Sequence, residues 1–220
     1  MGFRIGVVLS GCGFKDGAEI HESVCALLAL DQANCEVSCF APDIEFEVID
    51  HRSGEKTGEK RNVLAEAARI ARGEISDLKQ ADPNQLDALV MPGGFGAASN
   101  LSDFAAKGED ASVLPELQSL IQAMFEAKKP ILAICIAPAL VAKALGSHKP
   151  KLTIGTDQGT ASALEGLGAS HQSCPTESFV VDEASKIITT PAYMLGPGIR
   201  QVNVGISRSV GALIDMLNRG

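Results

Sequence analysis

The sequence predicts an α/β fold in which a mostly parallel sheet carries helices on both faces. Short apolar runs typical of buried strands alternate with longer segments whose apolar residues recur at helical spacing. Glycine supplies 22 of the 220 residues, as expected for many tight turns between regular elements. No internal repeat, low-complexity segment or interdomain linker interrupts this alternation, so we expect one domain over residues 1–220.

Composition and charge exclude several classes of protein. Hydrophobic residues make up 45% of the chain and aromatic residues only 4%, so the core is expected to be aliphatic. The formal net charge of −8 argues against a nucleic-acid partner and against an anionic membrane surface. No apolar run reaches the roughly 20 residues that span a bilayer, and the N-terminus has no signal-peptide layout. We therefore expect a cytoplasmic protein with no membrane or nucleic-acid partner.

The six cysteines show no disulfide or metal pattern. There is no CxxC pair and no Cys/His spacing typical of a zinc site. We therefore expect a reduced chain with mostly structural thiols, no metal and no cofactor. The cysteines are Cys12, Cys25, Cys35, Cys39, Cys135 and Cys174.

The first half of the chain carries strand and helix signals in alternation. Continuous or alternating apolar runs predict strands, and apolar residues spaced three or four apart predict helices. The predicted strands cover residues 3–9, 35–41, 44–49 and 87–91. The predicted helices cover residues 16–31, 63–72 and 113–128, with Asn62 as the N-cap of the second. The polar residues 51–61 predict a surface loop, and residues 77–83 predict a connector.

The second half continues the alternation with shorter strands. The predicted strands cover residues 131–134, 152–156, 169–174, 179–182 and 186–190, the last three near an edge of the sheet. The predicted helices cover residues 138–145, 159–167 and 199–217. Gly168 is expected to end the second of these helices, and residues 191–198 are expected to form a loop.

The first predicted helix has two apolar faces. One face carries the large residues Ile20, Val24, Leu27 and Leu28. The opposite face carries Glu22, Cys25, Ala26 and Ala29, small residues that indicate close packing against another surface, such as a second subunit. Glu22 is either a buried carboxylate with a raised pKa or an exposed first-turn residue. His21 lies on neither face and is expected at a rim or on the surface.

The segment around Cys135 carries the clearest functional signal. The apolar run 131–134 leads into Cys135, and Pro138 opens a helical segment, which is the arrangement of a nucleophile elbow. Such a turn requires small residues two positions before and after the nucleophile, and these are Ala133 and Ala137. The start of a helix also favours a thiolate. We predict a nucleophilic thiol, the alternative being a buried core cysteine.

A glycine-rich loop follows the predicted strand 87–91. Residues 93–96 read Gly-Gly-Phe-Gly, and such loops let backbone N–H groups approach a ligand closely. We predict that Gly93, Gly94 or Phe95 supplies half of an oxyanion hole, with Ile136 supplying the other half. The alternative is an ordinary turn between a strand and a helix.

Topology is expected to bring these features together. In a parallel sheet, ligands bind at the edge where the strands present their carboxyl ends. That edge is expected to gather Cys12, Glu22, Cys135 and the loop 93–96, which are far apart in sequence.

Four blocks of the sequence, taken together, match the pattern of a known family. They read Gly-Ala-Glu-Ile-His-Glu (17–22), Met-Pro-Gly-Gly-Phe-Gly-Ala (91–97), Ala-Ile-Cys-Ile-Ala-Pro (133–138) and Thr-Thr-Pro-Ala-Tyr-Met (189–194). The chain resembles the ElbB family, a branch of the PfpI/ThiJ superfamily with the class I glutamine-amidotransferase-like fold. The resemblance implies a flavodoxin-like three-layer sandwich, usually a homodimer, with Cys135 as the nucleophile and Glu22 as its acidic partner.

The resemblance also implies an activity. ElbB-like proteins are linked by name to isoprenoid biosynthesis and are described as glyoxalases that convert glyoxal to glycolate without glutathione. The implied reaction is that of a glyoxalase III-like lyase, in which Cys135 forms a hemithioacetal with a small aldehyde and Glu22 moves a proton. His21, His51 or Cys12 would assist. The alternatives are a redox-sensing protein with an oxidisable Cys135, and another hydrolase or amidase on the same elbow.

The chain departs from the superfamily pattern at the histidine of a catalytic triad. Residues 154–157 read Ile-Gly-Thr-Asp, where many members of the superfamily have a histidine. Neither His148 nor His171 fits the His-x-Glu of the glutaminase members. We therefore expect neither a Cys–His–acid triad nor glutamine amidotransfer, because a shared fold does not carry a function with it.

Overall fold

The computed structural model describes residues 2–196 and 198–220. Its strands are, in chain order, β1 (Arg4–Val8), β2 (Glu36–Ala41), β3 (Glu45–Ile49), β4 (Lys56–Asn62), β5 (Ile75–Asp77), β6 (Ala88–Met91), β7 (Ile131–Ile134), β8 (Lys151–Leu152), β9 (Ser170–His171), β10 (Val180–Asp182) and β11 (Ile187–Thr190). Its α-helices are α1 (Ile20–Gln32), α2 (Val63–Ile70), α3 (Phe95–Ser99), α4 (Phe104–Lys107), α5 (Pro115–Glu126), α6 (Pro138–Leu145), α7 (Gln158–Gly166) and α8 (Ile199–Arg219).

A seven-stranded sheet organises these elements in the order β10-β11-β7-β6-β1-β2-β5. Its neighbouring strands run parallel except for the edge pair β10 and β11. The helices α1, α2 and α8 pack on one face, and α5, α6 and α7 pack on the other, each over a buried aliphatic core. The three-layer α/β fold is therefore confirmed, and the carboxyl ends of β1, β6, β7 and β11 lie side by side.

The sequence predicts a surface loop over residues 51–61, and this prediction is only partly correct. The segment contains β4, which pairs with β3 in an antiparallel hairpin outside the central sheet. Six of the seven residues of β4 are exposed, so the strand lacks the apolar alternation by which strands are recognised. The edge strand β5 and the short helices α3 and α4 were also missed, because three to five residues are too few to show a period.

The predicted strand 152–156 is shorter than expected and lies outside the central sheet. Only Lys151–Leu152 is extended, and it pairs with β9 in a separate two-stranded sheet. Gly155 has a φ of +98°, which ends any continuation of the strand. The predicted strand at 186–190 instead lies inside the central sheet, beside β7. The predicted loop 191–198 contains a 3₁₀ turn at Ala192–Leu195, and its Pro197 lies outside the described residues.

The small face of α1 packs closely against another surface, as expected, but that surface belongs to the same chain. The small face, with Glu22, Cys25, Ala26 and Ala29, is buried against the protein's own core and α8. The large residues Ile20, Val24 and Leu28 are 42%, 49% and 49% exposed. Small side chains let α1 approach the sheet and α8 closely, so the small face does not mark a subunit contact. Among helices of residues 2–196 and 198–220, none combines the length and apolar character needed to cross a membrane.

Candidate functional site

Cys135 occupies the turn between β7 and α6. Its φ is +62°, a left-handed backbone conformation that a residue with a side chain adopts only where the surroundings impose it. The Cys135 N–H donates to the carbonyl of Thr190, at 2.9 Å, so the end of β11 braces the turn. Ala133 and Ala137 are fully buried, as the elbow requires. The predicted elbow is thus present, with a strained residue at its tip.

The glycine loop after β6 is fastened to the start of α1. The Glu19 N–H donates to the Gly93 carbonyl at 2.9 Å, and the Gly96 N–H donates to the Gly17 carbonyl at 2.9 Å. Gly94 has a φ of +96°, and a Cβ at this position would lie 2.3 Å from the Gly17 carbonyl oxygen. Only glycine fits such an approach. The loop therefore presents its backbone to Cys135 in one conformation.

Glu22 projects from the first turn of α1 into the space between this loop and Cys135. Its side chain is fully buried. The Gly93 N–H donates to Oε2 at 3.0 Å, and the Tyr193 N–H donates to Oε1 at 3.2 Å. A Cβ atom added at Gly93 would lie 2.8 Å from Glu22 Oε2 and 3.0 Å from Cys135 Sγ, so the carboxyl and the thiol are close neighbours. Two backbone donors from distant segments thus aim the carboxyl at the sulfur.

Burial changes the ionisation of both members of this pair. Loss of solvation raises the pKa of Glu22 from 4.5 to about 7, although the donors from Tyr193, Cys135 and Gly93 act in the opposite direction. Loss of solvation, followed by the charge of Glu22, raises the pKa of the Cys135 thiol well above its usual value. The backbone N–H groups of Gly94 and Ile136 lower this pKa and are too weak to prevail.

The raised thiol pKa runs against the expectation of a resting thiolate at the start of α6. The dipole and free N–H groups of a short helix do not outweigh the cost of burying a sulfur anion next to a carboxylate. The direction of this pKa favours a protonated Cys135, with the Glu22 carboxyl placed beside it as a proton acceptor.

The raised pKa of Glu22 predicts a pH-dependent free energy of unfolding. The carboxyl titrates near 4.5 in the unfolded chain and near 7 in the folded one, so the folded state holds its proton more tightly. This stabilisation is complete below about pH 4.5 and is lost as the pH rises to about 7. At about 1.4 kcal/mol per pH unit, the loss is on the order of 3 kcal/mol.

Urea unfolding across this pH range measures the effect. The Glu22→Gln variant removes the titration, so we expect the stability difference between the two chains to change across the window. A difference that stays constant from pH 4.5 to 7 would contradict the raised pKa.

A cavity of about 700 Å³ opens in front of Cys135. Its wall is mostly apolar and comes from the loop after β1, from the start of α1, from α3, α4 and α7, from the elbow and from the segment after β11. The lining residues other than Cys135 are Phe14, Glu19, His21, Gly94, Phe95, Ala98, Phe104, Ala105, Ile136, Thr160, Tyr193 and Met194.

A polar cluster stands at one side of this cavity. His21 Nδ1 and the Tyr193 hydroxyl are 2.8 Å apart, and a Glu19 carboxylate oxygen lies 4.0 Å from the same ring nitrogen. Glu19 also caps α1 by accepting the Glu22 N–H at 2.7 Å. His21 is therefore a rim residue, as expected, and it is held beside the cavity by Tyr193.

Only some of the predicted oxyanion donors are free to act. The Gly93 N–H is bound to Glu22, and the Phe95 N–H donates to the Phe14 carbonyl at 2.8 Å. The prediction is therefore wrong for these two N–H groups, because Glu22 and the loop 11–17 use them. Gly94 and Ile136 remain, and their N–H groups are the ones that lower the pKa of the Cys135 thiol. Phe95 contributes its ring to the cavity wall instead.

Cys12 and His51 lie near this edge of the sheet and outside the cavity lining, so the expectation that they assist is not supported. The loop after β1 folds back through a Gly13 N–H to Ala18 carbonyl bond of 2.9 Å, and Cys12 then lies near the charges of α2. His51 accepts the Lys15 N–H at 3.3 Å, and its ring contacts Phe14 edge-on. His51 thus supports the loop that carries Phe14.

The two histidines after the elbow are also remote from the cavity. His171 accepts the Ile154 N–H at 3.4 Å, and His148 packs on the ring of Phe125. Within the described parts of the chain, no group of three or more His, Cys, Asp or Glu side chains is arranged to hold a metal ion.

The sequence reasoning missed Glu19 and Tyr193 as site residues. Glu19 precedes a helix and looks like an ordinary cap, and Tyr193 follows a strand in a segment without periodicity. The available signals were two of the four blocks, since residues 17–22 contain Glu19 and residues 189–194 contain Tyr193. In the second of these blocks, Ala192 has a φ of +45°, a second strained residue, and this turn directs the Tyr193 N–H to Glu22.

Comparison with known proteins finds relatives along nearly the whole chain. Residues 12–190 match the model of the DJ-1/PfpI family. The human glutamine amidotransferase-like class 1 domain-containing protein 3, mitochondrial, is 41% identical, with 98% of this chain and 84% of that protein covered. The rat ES1 protein homolog, mitochondrial, is 42% identical, with 98% and 85% covered.

A solved structure also matches closely. The isoprenoid biosynthesis protein with amidotransferase-like domain from Ehrlichia chaffeensis superposes with a TM-score of 0.90. It is 38% identical in sequence, and the match covers 96% of this chain and 99% of that one.

The comparison contradicts the expected cytoplasmic location. Both mammalian relatives are mitochondrial proteins by name. The expectation rested on composition and on unpaired cysteines, which describe the solvent and redox conditions that a chain tolerates. Those conditions do not identify a compartment, so the prediction of a cytoplasmic protein is wrong.

Proposed function

The chain belongs to the DJ-1/PfpI family, and on this premise we propose that it is a glutathione-independent glyoxalase that converts glyoxal or a related 2-oxoaldehyde to the 2-hydroxy acid. The observation that carries the proposal is the buried pair formed by the Cys135 thiol and the Glu22 carboxyl beside the cavity. A carboxyl with a pKa of about 7 gives up and takes back protons readily at neutral pH.

The reaction begins with addition of sulfur to the aldehyde. The Glu22 carboxylate takes the Cys135 proton as the sulfur attacks the aldehyde carbon, and the new C–S bond gives a hemithioacetal. The carbonyl oxygen becomes negative beside the N–H groups of Gly94 and Ile136, which stabilise it. It then accepts the proton from Glu22, and the carboxylate is restored.

The second stage moves hydrogen between the two carbons. Glu22 removes the C–H proton from the carbon that carries sulfur, and protonation of the neighbouring carbonyl oxygen gives an enediol. Glu22 then returns a proton to the neighbouring carbon, and the hydroxyl on the sulfur-bearing carbon loses its proton to become the thioester carbonyl. One carbon is oxidised and the other reduced, so no external oxidant or reductant takes part. The product is a thioester on Cys135, and water hydrolyses it to the 2-hydroxy acid and the free thiol.

The test is product analysis with glyoxal in D₂O. The enediol route predicts glycolate that carries solvent deuterium at carbon 2, measured by mass spectrometry. In H₂O, kcat/KM should rise with pH through about 7, because the carboxylate form of Glu22 takes the first proton. Absence of glycolate would refute the function, and glycolate without deuterium would refute the enediol route.

We also place the chain in the ElbB branch of the family. The proposal is supported by the four sequence blocks and by the likeness to the Ehrlichia chaffeensis protein, which is named for isoprenoid biosynthesis. The function proposed above does not depend on a link to isoprenoids.

A homodimer is proposed through the exposed face of α1. Ile20, Val24 and Leu28 stand four residues apart and form one apolar stripe along the helix. A second copy suits this stripe because a two-fold axis pairs a surface with itself, and an uncharged apolar stripe is self-complementary. His21 lies beside the stripe, so the contact would adjoin the cavity.

Val24→Asp is expected to shift the protein from dimer to monomer, because the contact would bury an unpaired carboxylate. Light scattering coupled to size-exclusion chromatography measures the mass. Ser162→Asp, on the exposed side of α7 across the sheet, is the control and should leave the mass unchanged. A Val24→Asp protein with the wild-type mass would contradict this interface.

A further inference from the structure

The cavity in front of Cys135 is much larger than glyoxal requires. Its volume of about 700 Å³ lies within the roughly 300–1,000 Å³ typical of sites for drug-sized ligands. A two-carbon dialdehyde bound to Cys135 would touch the Gly94–Ile136 end and leave most of this space to water. The remaining space therefore indicates a 2-oxoaldehyde larger than glyoxal.

Aromatic rings line the part of the cavity that glyoxal would leave unfilled. Phe14, Phe95 and Phe104 come from three separate segments and line the same space. Phe14 is 44% and Phe95 57% exposed, which is unusual for rings of this size in a chain with few aromatics. Exposed apolar side chains clustered in a concave site are typical of a surface that a ligand covers.

The charges around the cavity disfavour an anionic ligand. Among the lining residues in the described parts of the chain there is no lysine or arginine. The carboxylate of Glu19 lines the cavity, and the carboxyl of Glu22 lies behind the Cys135 sulfur. A phosphate or carboxylate on the substrate would meet the Glu19 carboxylate, whereas the Lys15 ammonium stands over the Phe14 ring, 5.5 Å from its centroid, and is not among the lining residues.

We propose that the site selects 2-oxoaldehydes that carry an uncharged, apolar group of about aryl size on the carbon next to the aldehyde. The aldehyde lies at Cys135, and the apolar group lies among Phe14, Phe95 and Phe104. This specificity rests on the proposed glyoxalase function. It adds a substrate class that excludes both the smallest dialdehyde and sugar phosphates as preferred substrates.

The test compares kcat/KM for glyoxal, phenylglyoxal and 4-carboxyphenylglyoxal. Each value is calculated from the concentration of the unhydrated aldehyde. We expect phenylglyoxal to exceed glyoxal by about tenfold or more, since filling a hydrophobic pocket commonly changes kcat/KM by 10- to 200-fold. The carboxylated substrate should lose most of this advantage. Glu19→Gln keeps an oxygen to cap α1 and removes the negative charge, so it should raise kcat/KM for 4-carboxyphenylglyoxal.

Phe95→Ala and Phe104→Ala should each lower the ratio of phenylglyoxal to glyoxal kcat/KM by about threefold or more, as expected for a smaller apolar contact. Ile199→Ala is the matched control, because Ile199 is 50% exposed and does not line the cavity. It should leave the ratio unchanged. A wild-type ratio of one or less, or the same ratio in the Phe variants, would overturn the proposed specificity.

A binding measurement separates this proposal from the glyoxalase function. In the Cys135→Ala protein, calorimetry with 2-hydroxyacetophenone should show saturable binding that Phe95→Ala weakens, and hydroxyacetone should bind at least tenfold less tightly. If no 2-oxoaldehyde is turned over and this binding is seen, the function fails and the ligand class stands. If glyoxal is turned over without an aryl preference and without this binding, the ligand class fails and the function stands.

Discussion

Cys135→Ser is expected to reduce glycolate formation by about 10⁴-fold or more, as the loss of a covalent nucleophile does in other enzymes. Glu22→Gln keeps the shape of the side chain and removes its basicity, and is expected to cost about 10²–10⁴-fold. The double variant should form glycolate as fast as Cys135→Ser alone, because the carboxylate transfers protons only to and from the sulfur and its adducts. Steady-state kinetics with glyoxal measures all three.

Cys39→Ser is the matched control for this series. Cys39 is as buried as Cys135, at 8% against 7% exposed, and it lies in β2, away from the cavity. Its thiol pKa is likewise raised by burial, to about 11. We expect its kcat/KM to equal that of the wild type. Retained glycolate formation in Cys135→Ser, or losses that multiply in the double variant, would contradict a thiol–carboxyl pair acting as one unit.

Gly93→Ala is expected to damage both activity and stability, although it adds a single methyl group. The new Cβ would lie 2.4 Å from Cys135 Cβ, 2.8 Å from Glu22 Oε2 and 3.0 Å from Cys135 Sγ. Cys135 sits on a strained turn and Glu22 is held by two backbone donors, so neither moves without cost. Overpacking of this kind costs about 1–3 kcal/mol of stability.

The effect on activity follows from displacement of the reacting groups. A misplacement of about 1 Å at a catalytic site lowers kcat/KM by about 100-fold. Gly211→Ala is the control, since Gly211 lies in α8 with no atom within 4 Å of the added carbon. It should leave activity unchanged and raise stability by about 0.5–1 kcal/mol. A Gly93→Ala enzyme with wild-type kinetics would contradict this prediction, because it would show that Cys135 and Glu22 tolerate displacement.

Local patterns in the sequence were sufficient for the elements that lie inside the sheet. The strands β1, β6 and β7 are continuous apolar runs, and burial on both faces of a parallel sheet requires that composition. The cap of α2 was also correct, since Asn62 accepts the Ala65 N–H at 2.9 Å. Elements without this signal were missed or misplaced, as with the exposed β4 and the three-residue β5.

The faces of α1 show why periodicity alone is insufficient. Both faces are apolar at helical spacing, so the pattern does not say which one is buried. The choice is made by α8 and the sheet, which approach closely only where α1 presents Cys25, Ala26 and Ala29. The large residues are left outside, which is the reverse of the usual preference for burying them.

The sequence by itself determined that Cys135 stands on a strand–helix turn, because the apolar run, the flanking alanines and Pro138 are all within a few residues. It also determined that a glycine loop and Glu22 belong to the same edge of the sheet. These inferences need only local spacing and the rule that parallel strands share a carboxyl edge. The family resemblance added Glu22 as the partner of the thiol.

Only the tertiary structure decided how these groups ionise and which donors are free. The proton affinity of Glu22 depends on burial and on N–H groups that lie 71 and 171 residues away, at Gly93 and Tyr193. The same contacts occupy the Gly93 N–H, so the proposed oxyanion donors are reduced to Gly94 and Ile136. Solvation and hydrogen-bond partners are properties of the assembled fold, so no local pattern of residues reveals them.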